Sequence, residues 1–196
     1  MIVVGAENGE IWRSDPNEEN FELVLESVDG FMIGTMGFHC YRNLVLYSEY
    51  GPRDVPGENA RRLWLSDDYG SAGSWRQIYE GLSQPRYHLH DVVFDPYENI
   101  IWLVAGDGEN NANVYWSKDY GKTMNQMFEY GACPNHFTQI IPLPNCVLFL
   151  SDTRQVAVYR WDRPKTGIES QANPMIYLAH VFYTARQPNE YWARRA

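Results

Sequence analysis

Apolar positions in this chain come in short runs. Some alternate with polar residues, and others stand together for a few positions before a turn. Nowhere does an apolar i, i+3, i+4, i+7 stripe persist for three turns, so the pattern predicts strands rather than helices. The runs fall at 2–6, 10–13 and 21–25, then at 31–40, 44–48, 62–66 and 76–79. They continue at 87–94, 100–105, 113–117 and 125–130, and again at 136–141, 146–150, 156–160 and 175–178. Turn-forming residues separate them, as in Asp95-Pro96-Tyr97-Glu98-Asn99, Gly106-Asp107-Gly108-Glu109-Asn110 and the stretch from Lys118 to Lys122. Segment 51–60, with two glycines and two prolines, reads as a loop inserted between two strands.

The runs repeat in groups. Glu10-Ile11-Trp12-Arg13-Ser14-Asp15, Leu63-Trp64-Leu65-Ser66-Asp67-Asp68-Tyr69-Gly70 and Val114-Tyr115-Trp116-Ser117-Lys118-Asp119-Tyr120-Gly121 align with one another. A fourth segment, Val158-Tyr159-Arg160-Trp161-Asp162, keeps the strand and the acid without the serine. Successive copies stand 52, 51 and 44 residues apart, counted from Ser14 to Ser66, Ser117 and Trp161. Four short strands per period of about fifty residues match the arithmetic of a propeller blade. The predicted fold is an all-β propeller of about four blades in a single domain, 1–196. The expected blades cover roughly 177–196 plus 1–27, 30–82, 86–131 and 135–178. The first blade would close by pairing strands from both termini, with 180–187 as its inner strand; a piece of a larger propeller is the alternative.

Ser117-Lys118-Asp119-Tyr120-Gly121-Lys122-Thr123 resembles the Asp-box, or BNR, repeat, whose pattern is Ser-x-Asp-x-Gly-x-Thr-Trp, with Met124 in place of the tryptophan. Ser66-Asp67-Asp68-Tyr69-Gly70 is similar, with two residues inserted before Ser74-Trp75. The resemblance implies a sialidase-like propeller fold in which Ser66, Asp68, Gly70, Ser117, Asp119 and Gly121 staple hairpins rather than react. The motif supplies a carboxylate for the N–H groups of its own turn and a glycine for positive φ. Asp-box propellers include sialidases, plant and cyanobacterial assembly factors and many phage-encoded proteins. The segments 90–108 and 137–149 look most similar to the phage group.

Composition narrows the range of partners. A formal net charge of −9 argues against nucleic acid and against anionic membrane surfaces. No apolar run is long enough to span a bilayer, and the N-terminal residues do not read as a secretory signal. The expectation is a soluble protein made in the cytoplasm, virion-associated if the phage likeness holds. Cys40, Cys133 and Cys146 are an odd number without CxxC spacing, so neither a disulfide framework nor a zinc signature is read. Aromatic residues make up 15% of the chain; Trp64, Trp102 and Trp116 would pack blades together or offer a stacking surface to a sugar.

A sialidase would need three arginines converging on the substrate carboxylate, because bidentate pairing fixes the sugar acid. The family's first arginine motif is missing here. Arg86 precedes a predicted inner strand and Arg186 ends one, without forming a recognisable triad. Tyr47 and Glu49 are candidates for a catalytic Tyr/Glu pair. A second constellation has its own spacing. His88, His136 and His180 each lie eight residues before a proline, at the start of predicted inner strands. That register aims three imidazoles at one end of a central channel, where they line it, bind a ligand with Arg86, or bind a metal; His90 and His39 fall outside the register. No cofactor is implied. The functional expectation is a non-catalytic binding or assembly module, a phage structural or receptor-contacting protein that meets a protein or a glycan. The alternatives are a sialidase-like glycoside hydrolase and a cellular assembly factor docking a protein partner. Oligomerisation is open.

Overall fold

The computed structural model describes residues 1–5, 9–26, 37–50, 61–81, 87–107, 110–151, 156–164, 168 and 175–180, the last segment without the side chains of 177, 179 and 180. Among these residues the chain is all β, in four antiparallel sheets. The first holds β1 (Val3–Gly5), β2 (Glu10–Ser14) and β3 (Phe21–Glu26). The second holds β4 (Phe38–Tyr41), β5 (Leu44–Ser48), β6 (Arg62–Ser66) and β7 (Trp75–Glu80). The third holds β8 (Leu89–Asp95), β9 (Ile100–Ala105), β10 (Asn113–Ser117) and β11 (Asn125–Gln126). The fourth holds β12 (Phe137–Pro142), β13 (Cys146–Ser151), β14 (Ala157–Asp162) and β15 (Ile176–His180). Every sheet is a meander in which each strand pairs with its neighbour in sequence. The expected inner strand of the first sheet, 180–187, lies almost wholly outside the described residues.

Burial explains why several strands are apolar without interruption. All six residues of β9, Ile100-Ile101-Trp102-Leu103-Val104-Ala105, are buried. Side chains alternate between the two faces of a strand, so a continuous apolar run requires a partner on both sides. Ile101 and Leu103 enter a core shared with Leu44, Leu46, Leu63 and Leu65 of the second sheet. Ile100, Trp102 and Val104 enter another, shared with Phe137, Val147, Phe149 and Trp161 of the fourth. Ile11, Val24 and Tyr47 form a third core between the first and second sheets. The third sheet is thus packed between its neighbours, and its strand β8 meets β4 and β5 on one side and β12 on the other. Trp102 and Trp116, read as packing or stacking residues, are buried in the second of these cores.

Several buried polar atoms are paired across these layers. Tyr79 and Tyr87 hydroxyls stand 2.8 Å apart, and the Tyr87 hydroxyl donates to Tyr115 at 3.1 Å, a short chain within the core between the second and third sheets. Burial raises the pKa of both Tyr79 and Tyr87, and charge repulsion between phenolates would add to it. Arg163 reaches from beyond β14 to Asp95 of β8 at 2.6 Å, tying the fourth sheet to the third.

The two repeat turns fold alike. Ser117 Oγ accepts the Gly121 N–H at 2.8 Å and donates to Asp119 Oδ1 at 2.8 Å, while Asp119 Oδ1 accepts the Thr123 N–H at 2.9 Å. Ser66 Oγ accepts the Gly70 N–H at 2.9 Å, and Asp68 Oδ2 accepts the Ser71 hydroxyl at 2.6 Å. The buried serine, more than the aspartate, gathers the interior N–H of each turn. Its hydroxyl both donates and accepts, whereas an ionised carboxylate only accepts.

Candidate functional site

The start of β8 and the end of β9 are neighbours, because Leu89 pairs with Ala105. The Gly106 N–H closes this end by donating to the His88 carbonyl at 2.8 Å. Gly106 then turns the chain with φ +89°, and a Cβ there would collide with the backbone of Asn111 and Ala112. Only glycine fits. The turn delivers the next residue, Asp107, back over the start of β8.

His88 Nε2 stands 2.6 Å from Asp107 Oδ2, and His90 Nε2 stands 2.8 Å from Asp107 Oδ1. The third imidazole arrives from the fourth sheet. His136 Nε2 lies 2.8 Å from the same Asp107 Oδ1 and 2.9 Å from His90 Nε2. His88 and His90 are buried, at 1% and 6% exposure, and Asp107 is nearly so. Tyr50 covers the group from the second sheet, stacked on His88 with ring centres 4.7 Å apart and edge-on to His90 at 5.8 Å.

Two features hold the strands in place for this meeting. Asp91, beside His90, accepts the Ile140 N–H of β12 through Oδ2 at 2.8 Å, a bond across the third and fourth sheets. Burial pushes the Asp91 carboxyl up to about 7, against the pull of the N–H groups of Ile140 and Val92. The second feature is a bulge. The β8–β9 register shifts between Leu89 and Asp91, leaving His90 as the extra residue; the β12–β13 register shifts between Phe137 and Gln139, leaving Thr138. A bulge re-aims the side chain it carries.

Electrostatics favour an ionised carboxylate among imidazoles. Burial alone would raise Asp107, but hydrogen bonds to His136, His88 and His90 outweigh it and hold the carboxyl well below the usual carboxylate range. Burial holds His90 below the usual imidazole range, against the opposing effect of Asp107. The ligand atoms of His90, Asp107 and His136 all lie within 4.8 Å of one another, a group able to hold a metal ion.

The histidine register read from sequence thus meets the structure in part. His88 and His136 both reach the Asp107 carboxylate, one on each oxygen. His180 ends β15, and its side chain lies outside the described residues, as does Arg86. His90, set aside for lacking the proline spacing, joins the cluster, and the bulge at its position is the reason a spacing rule misses it. Asp107 was legible only as a turn residue; its position after Gly106 was the available signal. His39 stays apart, its ring buried enough to lower its pKa. The candidate pair Tyr47 and Glu49 is placed in the interior. Tyr47 is wholly buried beside Ile11 and Val24, and Glu49 is wholly buried, accepting the Trp64 indole N–H at 2.8 Å and standing 3.6 Å from Arg62.

No known protein family and no curated protein matches the sequence. Among the solved structures that resemble it are two of low identity. A protein of unknown function from Dyadobacter fermentans DSM 18053 matches at 16% identity with a TM-score of 0.50, over 87% of this chain and 52% of its own. The tricorn protease matches at 12% identity with a TM-score of 0.45, over 90% of this chain and 15% of its own. The chain spans about half the length of the Dyadobacter protein. At such identity the likeness is one of fold alone. Among the described residues no helix is long and apolar enough to cross a membrane.

Proposed function

We propose that the chain is an Asp-box-type β-propeller acting as a non-catalytic binding module, of the kind found in phage structural or receptor-contacting proteins. Its contact surface for a protein or glycan is the end of the sheets that carries His88, His90, His136 and Asp107. The convergence of these four side chains, from two sheets and one turn, is the observation that carries the reading. Buried polar groups held this densely at one end of a scaffold are where recognition chemistry concentrates. The repeated serine-and-aspartate turns support the propeller assignment, as does the packing of β8 between β4 and β12. Against a sialidase stands the burial of the candidate pair: Tyr47 is wholly buried, and Glu49 is wholly buried and engaged with Trp64 and Arg62.

The test has a catalytic and a binding arm. A fluorogenic sialoside is expected to show no turnover; turnover that disappears in E49Q would overturn the reading. On a glycan array, or against the product of an adjacent virion gene, binding is expected to fall in Y50A and persist in Y97A. Tyr97 is exposed in the β8–β9 turn, at the opposite end of β8. Equal loss in both variants would overturn the placement of the contact surface.

A further inference from the structure

His90 Nε2, His136 Nε2 and Asp107 Oδ1 form a nearly equilateral triangle with sides of 2.8, 2.8 and 2.9 Å. With the carboxylate ionised, hydrogen bonds alone cannot satisfy all three sides. If both imidazoles carry their proton on Nε2 and donate to Oδ1, two donors face each other across 2.9 Å. If one Nε2–H donates to the other Nε2, the accepting nitrogen turns its lone pair on the carboxylate oxygen. Either proton assignment leaves one repulsive side in a largely buried site. The rings make the contact through their nitrogens: the Nε2 atoms are 2.9 Å apart and the ring centres 4.7 Å.

A cation resolves the frustration, because all three lone pairs can then point at one centre. The triangle's size selects the geometry. Three donors at right angles about an ion, each about 2.0–2.1 Å away, stand about 2.8–3.0 Å apart, whereas a tetrahedral arrangement at that bond length spreads them to about 3.3–3.4 Å. The observed sides match the first. The donor set selects the class of ion: two imidazoles suit a first-row transition metal, while magnesium and calcium take oxygen ligands.

We propose that His90, His136 and Asp107 are a facial two-histidine, one-carboxylate site for a single divalent transition-metal ion. The proposal uses the same end of the sheets as the binding surface above. His88 does not ligate; it holds the second carboxylate oxygen at 2.6 Å and so fixes the orientation of Oδ1. Tyr50, stacked on His88, shields that hydrogen bond from water. An ion held by three facial donors has three further coordination positions, which water or a ligand's oxygen atoms would fill.

The test is titration of the full chain, stripped by chelator, with Zn²⁺ alone, followed by calorimetry. One ion per chain is expected, with no comparable binding of Mg²⁺ or Ca²⁺. H88A should weaken Zn²⁺ binding by about 10- to 100-fold without abolishing it; H39A should leave it unchanged. The double variant H90A/H136A should lose the ion while keeping its far-UV circular dichroism. A readout on unaltered protein guards against variants that fail to fold: loaded with Cu²⁺, the chain should show pulsed electron paramagnetic coupling to two imidazoles. Absence of stoichiometric Zn²⁺ binding, undiminished binding by the folded double variant, or no imidazole coupling would each overturn the site. The two proposals fail separately. A chain that binds the ion and hydrolyses the sialoside overturns the non-catalytic reading and leaves the metal site. A chain that does neither overturns the metal site and leaves the module.

Discussion

Ser117 and Asp119 divide one turn between them, and their substitutions have different signatures. S117A leaves the buried Gly121 N–H without its acceptor, which costs about 1–3 kcal/mol, read as a lower midpoint in urea unfolding. D119N is a matter of pH. The Thr123 N–H, and then the Ser117 hydroxyl, hold the Asp119 carboxyl below its ordinary value in the folded chain. A depressed carboxyl binds its proton more weakly folded than unfolded, so its stabilisation is present above the unfolded value of about 3.9 and fades as pH falls through the folded value. The stability difference between wild type and D119N should therefore be constant from pH 5 to 8 and shrink below pH 4; a gap that persists unchanged in acid would refute this. Cysteine chemistry is decided at the same scale. Burial pushes the Cys133 thiol up to about 12, Cys146 is buried, and Cys40 is exposed. Partial burial raises the Cys40 thiol as well, so at pH 8 the native chain should give a disulfide reagent Cys40 alone and slowly, and all three thiols only after denaturation.

At the scale of elements, the repeat turn also anchors one sheet on another. Gly121 has φ +80°, and a Cβ there would stand 2.5 Å from Ile78 Cβ of the second sheet. Gly73 has φ +78° with nothing within 4 Å. G73A should thus cost only the backbone term, about 1–2 kcal/mol, and G121A distinctly more, because β7 must move; equal costs would mean the turn does not bear on its neighbour. Elements are also where the sequence was most legible. The 44–48, 62–66, 100–105 and 113–117 runs coincide with β5, β6, β9 and β10. Strands that bury both faces announce themselves as unbroken apolar runs. The shorter β11 does not: the run 125–130 reads as six residues, but the strand ends at Gln126, with one further backbone bond from the Met127 N–H to the Val114 carbonyl at 2.8 Å, and the Asn113 side chain caps Phe128. The site was half legible for a related reason. A register argument follows regular strands, so it brought His88 and His136 together, but a bulge adds a residue the period does not count, and His90 stands on one.

For the whole molecule, stability rests on the interfaces between sheets. Trp102 is the largest wholly buried side chain among the described residues, lies edge-on to Phe149 and Trp161 of the fourth sheet, and donates its indole N–H to Asp95 at 3.1 Å. W102A should cost about 3–5 kcal/mol and also release the carboxylate that Arg163 pairs with, so the third and fourth sheets should come apart together in hydrogen exchange. Loss of protection in the third sheet alone would show that the interface is not shared. Sequence could not reveal this sharing, since adjacency of two sheets depends on which faces meet, not on any run within one strand.

The linked hydroxyls of Tyr79, Tyr87 and Tyr115 give the molecule an optical gauge of its own. Tyr79 and Tyr87 resist ionisation while the second and third sheets enclose them. In alkaline titration the phenolate absorbance of Tyr79 and Tyr87 should appear well above the ordinary phenol value of about 10. These two should ionise only when that interface opens. The late step in absorbance then times the parting of two particular layers, without label or substitution.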